Sequence, residues 1–286
     1  MLLEVLVFMP IIKQPREIIS RKNLLSRLRE LILDQYDEQK HQAEILGLFK
    51  GEKRRGWSEI NRRFEQENIS GLEVICLNSY LVDQLVRSIY DVASKVVFPS
   101  HNPTTGEHIA LLATGGYGRG ELAPFSDVDI MFLIPYKLTA RSEQVIEFTL
   151  YMLWDLGLKV GHATRSINDA LGLSKEDLTI RTSLLECRLL WGNKSLYLDF
   201  IKRFEHEVVR STGLDFVSGK LKERDERHRL MGDTRYLLEP NVKEGKGALR
   251  DLQTLSWIVR YLYEAKRIDE LLILNVLTRD DISRFK

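Results

Sequence analysis

The stretch Leu111–Ile134, LLATGGYGRGELAPFSDVDIMFLI, constrains the fold of this chain more than any other. It opens apolar, breaks into the glycines 115, 116, 118 and 120, turns at Pro124-Phe125-Ser126, and resumes as an apolar run headed by Asp127 and Asp129. Short apolar runs bounded by turn chemistry read as buried strands. Residues two apart on a strand point to the same face, so Asp127 and Asp129 project together, with Val128 opposite. Facing carboxylates repel and raise one another's pKa. A divalent cation removes that cost, and hard oxygen ligands suit Mg²⁺, which binds through one or two carboxylates plus substrate phosphates. The alternative for the same residues is a hairpin with a solvated polar end.

The glycines match neither familiar phosphate loop. Gly115 and Gly120 have the Walker A spacing, but Glu121 and Leu122 stand where Lys and Ser/Thr are required. Gly116 and Gly118 begin a dinucleotide fingerprint, but Glu121 replaces its third glycine. What remains is a strand ending in the pair Gly115-Gly116, whose amides can approach an anion closely. Arg119 beside them and Ser126 in the turn before the carboxylates complete the candidate nucleotide-binding set.

The surrounding pattern is helix-rich. Leu24, Leu25, Leu28, Leu31 and Ile32 recur at helical spacing, and Leu72–Val97 carries Leu77, Leu81, Leu85 and Ile89 on one face. The basic stretch Lys50–Arg63 reads as a solvated helix face. Residues 98–107 form a loop with two prolines. Ile109–Ala113, Asp129–Ile134 and Lys159–Arg165 are expected strands, with a helix over Glu143–Leu156 ended by Gly157. Helices are expected again over Asp177–Leu190, Asp199–Val209, Val217–Arg229 and Arg250–Tyr263. These assignments predict an α+β fold: a small mixed-sheet core at 101–170, helical regions at 1–100 and 171–286.

Composition narrows the function classes. The 286 residues are 44% hydrophobic with a formal net charge of +1, enough for a real core and without a field that would draw in nucleic acid. Cys76 and Cys187 lie far apart in apolar surroundings and read as buried thiols, consistent with the cytoplasm. The apolar start MLLEVLVFMP contains Glu4 and stops at Pro10, too short for a membrane span and without a basic leader region.

Glycine-glycine followed by D-x-D at the head of an apolar strand resembles the DNA polymerase β-type nucleotidyltransferase superfamily. The fuller string GGYGRGELAPFSDVDIMFL is similar to the signature of bacterial [protein-PII] uridylyltransferases. LWDLGLKVGHATRS (153–166), DLTIRTSLLECRLLWG (177–192) and LEPNVKEGKGALRDLQTLSWI (238–258) resemble the same family's transferase region. The resemblance implies that Gly115 and Gly116 approach the triphosphate and that Asp127 and Asp129 bind Mg²⁺. It implies transfer of UMP from UTP to a tyrosine of the trimeric PII signal protein, with glutamine as regulatory signal. Many superfamily members carry a third carboxylate on the strand after the intervening helix. Here His162 stands at the expected position; Asp155, Asp169 or Asp177 would have to replace that ligand, or the site works with two. His162 is otherwise a candidate for positioning the acceptor hydroxyl, or a packed histidine.

Lys243, Lys246 and Arg250, around two glycines ahead of an apolar helix, could bind nucleotide phosphates or simply form a turn with Asp251 pairing Arg250. The family's HD hydrolase and ACT sensor domains would follow the matched region. None of the six histidines precedes an aspartate, so UMP removal and glutamine sensing are not expected of these residues. An ATP-using nucleotidyltransferase of the same superfamily and a non-catalytic nucleotide- or PII-binding module remain alternatives.

Overall fold

The computed structural model describes residues 12–32, 36–232, 239, 241–263 and 278–280. The apolar start at 1–10 and most of the last ten residues lie outside this set. The described residues divide into two units: 12–170 together with 186–200, and 171–185 with those from 201 onward.

The first unit is built on a four-stranded mixed sheet. Its strands are β1 (Ala110–Ala113), β2 (Val128–Ile134), β3 (Val160–Ser166) and β4 (Arg188–Gly192), in the order β3-β2-β1-β4. β1 runs antiparallel to β2 and β4, and β2 runs parallel to β3. A parallel neighbour needs a crossover, and the helix Ala140–Asp155 supplies it, with Gly157 in a left-handed conformation (φ 72°) just beyond its end. Before the sheet come α1 (Pro15–Ile18), α2 (Arg21–Leu31), α3 (Glu38–Gln66) and α4 (Gly71–Val92). The glycine turn contains α5 (Gly115–Gly118), and the crossover helix is α6.

One sheet face makes the main core. Val128, Ile130, Phe132 and Ile134 alternate onto it and join Leu81, Leu85 and Ile89 of α4 and Val145, Leu150 and Leu153 of α6. α4 has Ser70 and Glu73 as a reciprocal capping box at its start. It is buried along most of its length, so it carries polar groups that need partners. The main one is Asp83, which accepts from both terminal nitrogens of Arg188 on β4 at 2.7 and 2.8 Å.

Two expectations need correction. The helix foreseen over Asp177–Leu190 ends early: α8 spans Leu178–Leu185, and Arg188–Gly192 is an edge strand of the sheet. A short apolar run is ambiguous between helix and strand, and β-sheet pairing with β1 decides it here. The basic stretch Lys50–Arg63 lies inside α3, but it is not wholly solvated. Arg63 is buried, donates to the carbonyls of Lys13 and Gln14, and pairs with Glu17 and Glu59. Gly56 is needed there because a methyl group would meet Leu81 at 2.6 Å. Cys76 and Cys187 are both buried and neither forms a disulfide, and burial pushes the Cys76 thiol up to about 11.

The second unit is helical. α7 (Ile167–Glu176) leads into it, followed by α8; α9 (Lys194–Phe204) re-enters it, followed by α10 (Gly213–Leu230) and α11 (Leu249–Tyr263). Phe216 of α10 stacks flat on Tyr261 of α11 with centroids 3.8 Å apart. No helix among the described residues is long and apolar enough to cross a membrane.

Removing one partner of a buried ion pair strands the other in a low-dielectric interior. Arg188→Met is therefore expected to lower unfolding free energy by roughly 3–5 kcal/mol, read by urea denaturation. The double variant Arg188→Met/Asp83→Asn should recover part of the loss.

Candidate active site

The site begins where β1 runs out. Thr114 is extended and its N–H donates to the Asp129 carbonyl at 3.0 Å, which sets the glycine turn beside the head of β2. Gly115 then takes φ 56°, a conformation only glycine adopts without strain. The first backbone bond of the turn is Gly118 N–H to Thr114 O at 2.9 Å. The amides of Gly115 and Gly116 precede that bond and, like those opening any helical turn, take no partner within it.

The turn is clamped from the segment that opens β4. A methyl on Gly118 would come within 2.2 Å of the Glu186 carbonyl, so only glycine permits this contact. The Glu186 carboxylate accepts from Arg119 at 2.6 Å, and Glu121 accepts from the same guanidinium at 2.8 Å. Arg188, besides holding Asp83, donates to the Tyr117 carbonyl at 3.2 Å and lies over the Tyr117 ring. Two arginines thus fix the far end of the turn. α4 fixes the next loop: Leu122 donates its N–H to Ile75 O and accepts from Asn78 Nδ2 at 2.8 Å. Phe125 follows with φ 66° and 95% of its surface exposed.

Asp127 and Asp129 come next. Asp127 is exposed and Asp129 half-buried. Burial, and after it the charge of Asp127, holds the Asp129 carboxyl above its usual range. Asp129 sits tightly between two backbones. A methyl on Gly115 would lie 3.2 Å from its Oδ2, and one on Gly161 would lie 2.4 Å from its Oδ1. Among the described residues, neither carboxylate has a hydrogen-bond or ion-pair partner. Two coupled anionic oxygen donors without a protein counter-charge form a donor set that suits a hard divalent cation.

The other predicted residues fall as follows. Gly115 touches Asp129, as above. Gly116 has negative φ and room for a methyl, whose nearest neighbours would be 3.5 Å away. Arg119 lies beside the turn, but both its contacts are carboxylates, so it acts first as a strut. Ser126 is exposed and its N–H donates to Ala123 O. His162 is not beside the carboxylates. Register pairs Asp129 with Gly161 and Ile130 with His162, so His162 shares the face of Ile130, and its ring packs edge-on against Trp154 of α6. The strand was assigned correctly, but the residue facing the carboxylates is one position earlier.

No third carboxylate joins the pair among the described residues. Asp169 accepts from the Ser166 N–H and hydroxyl at the start of α7, Asp177 caps α8 through the Ile180 N–H, and Asp155 is exposed at the end of α6. The lysine-glycine motif belongs to the second unit. There Asp251 accepts from Gly247 N–H, Arg227 and His228, while Arg250 donates to Gln253 and Glu244 and lies over Trp257. Arg250 therefore does not pair with Asp251, and the loop is bonded largely to itself and to α10. Lys246 and Gly247 line a cavity of about 650 Å³ with Arg224, His228 and Arg229.

Gly161, Gly118, Glu186 and the Asp83–Arg188 pair were not foreseen as parts of the site. Gly161 carried a readable signal, since a glycine inside a strand marks close backbone approach. The others are joined across 67 to 105 residues, which no local pattern reveals.

The fold is thus α+β, with a small mixed sheet that sets a glycine turn beside a paired carboxylate at the head of a central strand. Comparison with known proteins gives the particular relationship. Residues 215–286 match the family described as GlnD PII-uridylyltransferase. The chain is similar to bifunctional uridylyltransferase/uridylyl-removing enzymes over nearly its whole length. It is 50% identical to that of Rhodospirillum rubrum over 276 residues, 96% of this chain and 30% of the relative. Identity to that of Azospirillum brasilense is 48% over 274 residues, 96% of this chain and 29% of the relative. With that of Novosphingobium aromaticivorans it is 46% over 278 residues, 97% and 30%. The chain thus spans about 30% of the length of these relatives.

The raised Asp129 pKa has a thermodynamic sign. A carboxyl whose folded pKa exceeds its unfolded value supports the fold while protonated, and that support is lost as pH rises through the folded pKa. At neutral pH the charged group is therefore a net cost. Metal-free Asp129→Asn is expected to melt above the parent at pH 7, the gain shrinking as pH falls below the carboxylate range. Thermal melts in EDTA across that range check it.

Proposed function

We propose that the chain catalyses Mg²⁺-dependent uridylyl transfer, moving UMP from UTP to a tyrosine hydroxyl of the PII signal protein and releasing pyrophosphate. The observation that carries this reading is the Asp127–Asp129 pair, uncompensated by any described cation and set against a glycine turn. The choice of UTP rests on the motif resemblance, and that of PII as acceptor on the motif resemblance and the description of the matched family.

Asp127 and Asp129 would hold Mg²⁺, which when bound supplies charge neutralisation at the phosphates. The Gly115 and Gly116 amides donate to phosphate oxygens of the bound triphosphate. The acceptor oxygen attacks the α-phosphorus. The bond from that phosphorus to the oxygen bridging to the β-phosphate breaks, pyrophosphate leaves with the electron pair, and the hydroxyl proton passes to water. The protein's part is positioning and electrostatics, which dominate phosphoryl-type transfer. Arg119, Glu186 and Arg188 act on this step by keeping the turn in place.

Incubation with PII, Mg²⁺ and α-labelled UTP or ATP tests the reading. Label from UTP on a PII tyrosine is the expected result; label from ATP alone, or none, would sink it. Asp127→Asn and Asp129→Asn are each expected to lower transfer on the order of 100-fold or more at saturating Mg²⁺, with folding retained by circular dichroism. Gly161→Ala should lower transfer at least about tenfold, because its methyl displaces the Asp129 carboxylate. Its melting temperature should change little, since the displaced atom ends a side chain that can rotate.

A further inference from the structure

β3 ends the sheet on the side nearest the carboxylates. Its free edge has few of the features by which proteins commonly blunt such strands, a single charged residue, Arg165, lying in it. Val160–Ser166 is seven residues long, contains neither proline nor lysine, and exposes Gly161, His162 and Thr164. The edge at β4 differs, for Arg188 and Leu190 are buried there. Val128 N–H donates to Lys159 O at 2.7 Å. By the alternation of a parallel ladder, residues 161, 163 and 165 then bond toward β2, and the backbone groups of Val160, His162 and Thr164 point outward. Among the described residues nothing bonds to those outward groups.

Register makes this edge relevant to the chemistry. Asp129 pairs with Gly161, so a strand added beyond β3 would place one residue in line with both. Its Cα would stand two strand spacings, about 10 Å, from that of Asp129. Gly161 puts no side chain of its own between them, so the Asp129 carboxylate leans over it, Oδ1 lying 2.4 Å from where a methyl would stand, and an added residue opposite Gly161 would point to the same face as Asp129. A chain as long as tyrosine spans most of that lane, whereas serine does not. The neighbours of that residue on the added strand would point to the opposite face. There Tyr151, Trp154 and His162 form an exposed aromatic row with centroids 5.6 and 5.8 Å apart.

We infer that the open edge of β3 receives an extended segment of the acceptor protein as an additional strand, delivering its tyrosine over Gly161 to the carboxylates. This rests on the uridylyl-transfer reading above. Main-chain bonds to Val160, His162 and Thr164 supply docking, and the aromatic row supplies a surface for apolar residues flanking the tyrosine.

Residue-resolved amide exchange of the chain, alone and with saturating PII, tests the inference beside a transfer assay on the same samples. The expected result is transfer together with at least tenfold slower exchange at Val160, His162 and Thr164, while Gly161, Ala163 and Arg165 change little. Transfer without that slowing would overturn edge pairing and leave uridylyl transfer standing. Slowing that appears without PII and grows with chain concentration would assign the edge to a second copy of the chain and overturn the proposal. Absence of transfer would overturn both readings. Thr164→Pro, which removes an outward N–H at a position where an edge strand tolerates proline, is expected to raise KM for PII at least tenfold and leave KM for UTP unchanged. An equal rise in both would count against docking.

Discussion

The buried bond between Arg188 and Asp83 organises everything around the site. It joins β4 to α4 through the interior, and the same guanidinium reaches the Tyr117 carbonyl and lies over the Tyr117 ring. One side chain therefore sets where the central helix, an edge strand and the glycine turn stand relative to each other. An arginine suits the task because its planar fork can serve several acceptors at once without losing charge. Arg119 and Glu186 repeat the arrangement at the turn's surface side. Both contacts brace the turn at its far end, away from the Gly115 and Gly116 amides that open it.

The carboxylates follow the opposite logic. Elsewhere in the first unit, buried charges are paired: Arg63 with Glu17 and Glu59, and Asp91 with Arg21, Lys95 and the Trp191 indole. Asp127 and Asp129 alone face each other at the head of a buried strand. A fold that satisfies its buried charges but, among the described residues, leaves this exposed and half-buried pair bare has kept a binding requirement at that point. Local conflict with otherwise consistent design is the physical mark of a functional site.

Much of this was legible in the sequence because it depends on local rules. The period-two placement of Asp127 and Asp129, the helix end at Gly157, and the long apolar face of α4 need no partner to be read. Register was not legible. Whether His162 or Gly161 faces Asp129 is decided by a one-residue offset between two strands, and a one-residue slip exchanges the faces. RLLWG, likewise, is helix or strand on its own and becomes a strand by pairing with β1. The partners of Arg119 were illegible for a similar reason. An arginine beside a glycine turn looks free until Glu186, distant in sequence, is brought against it.

The span between Asp83 and Arg188 also sets the order in which the molecule can be made. A chain growing from its amino terminus completes α4, the glycine turn, both aspartates and β3 before residue 188 exists. Until then Asp83 lacks its strongest partner, the sheet lacks its fourth strand, and the Tyr117 carbonyl is untethered. Non-local closure of this kind is slow relative to helix formation. The glycine turn and both aspartates are thus spelled out early on the ribosome, whereas the contacts that brace the turn close only after residue 188 has been added.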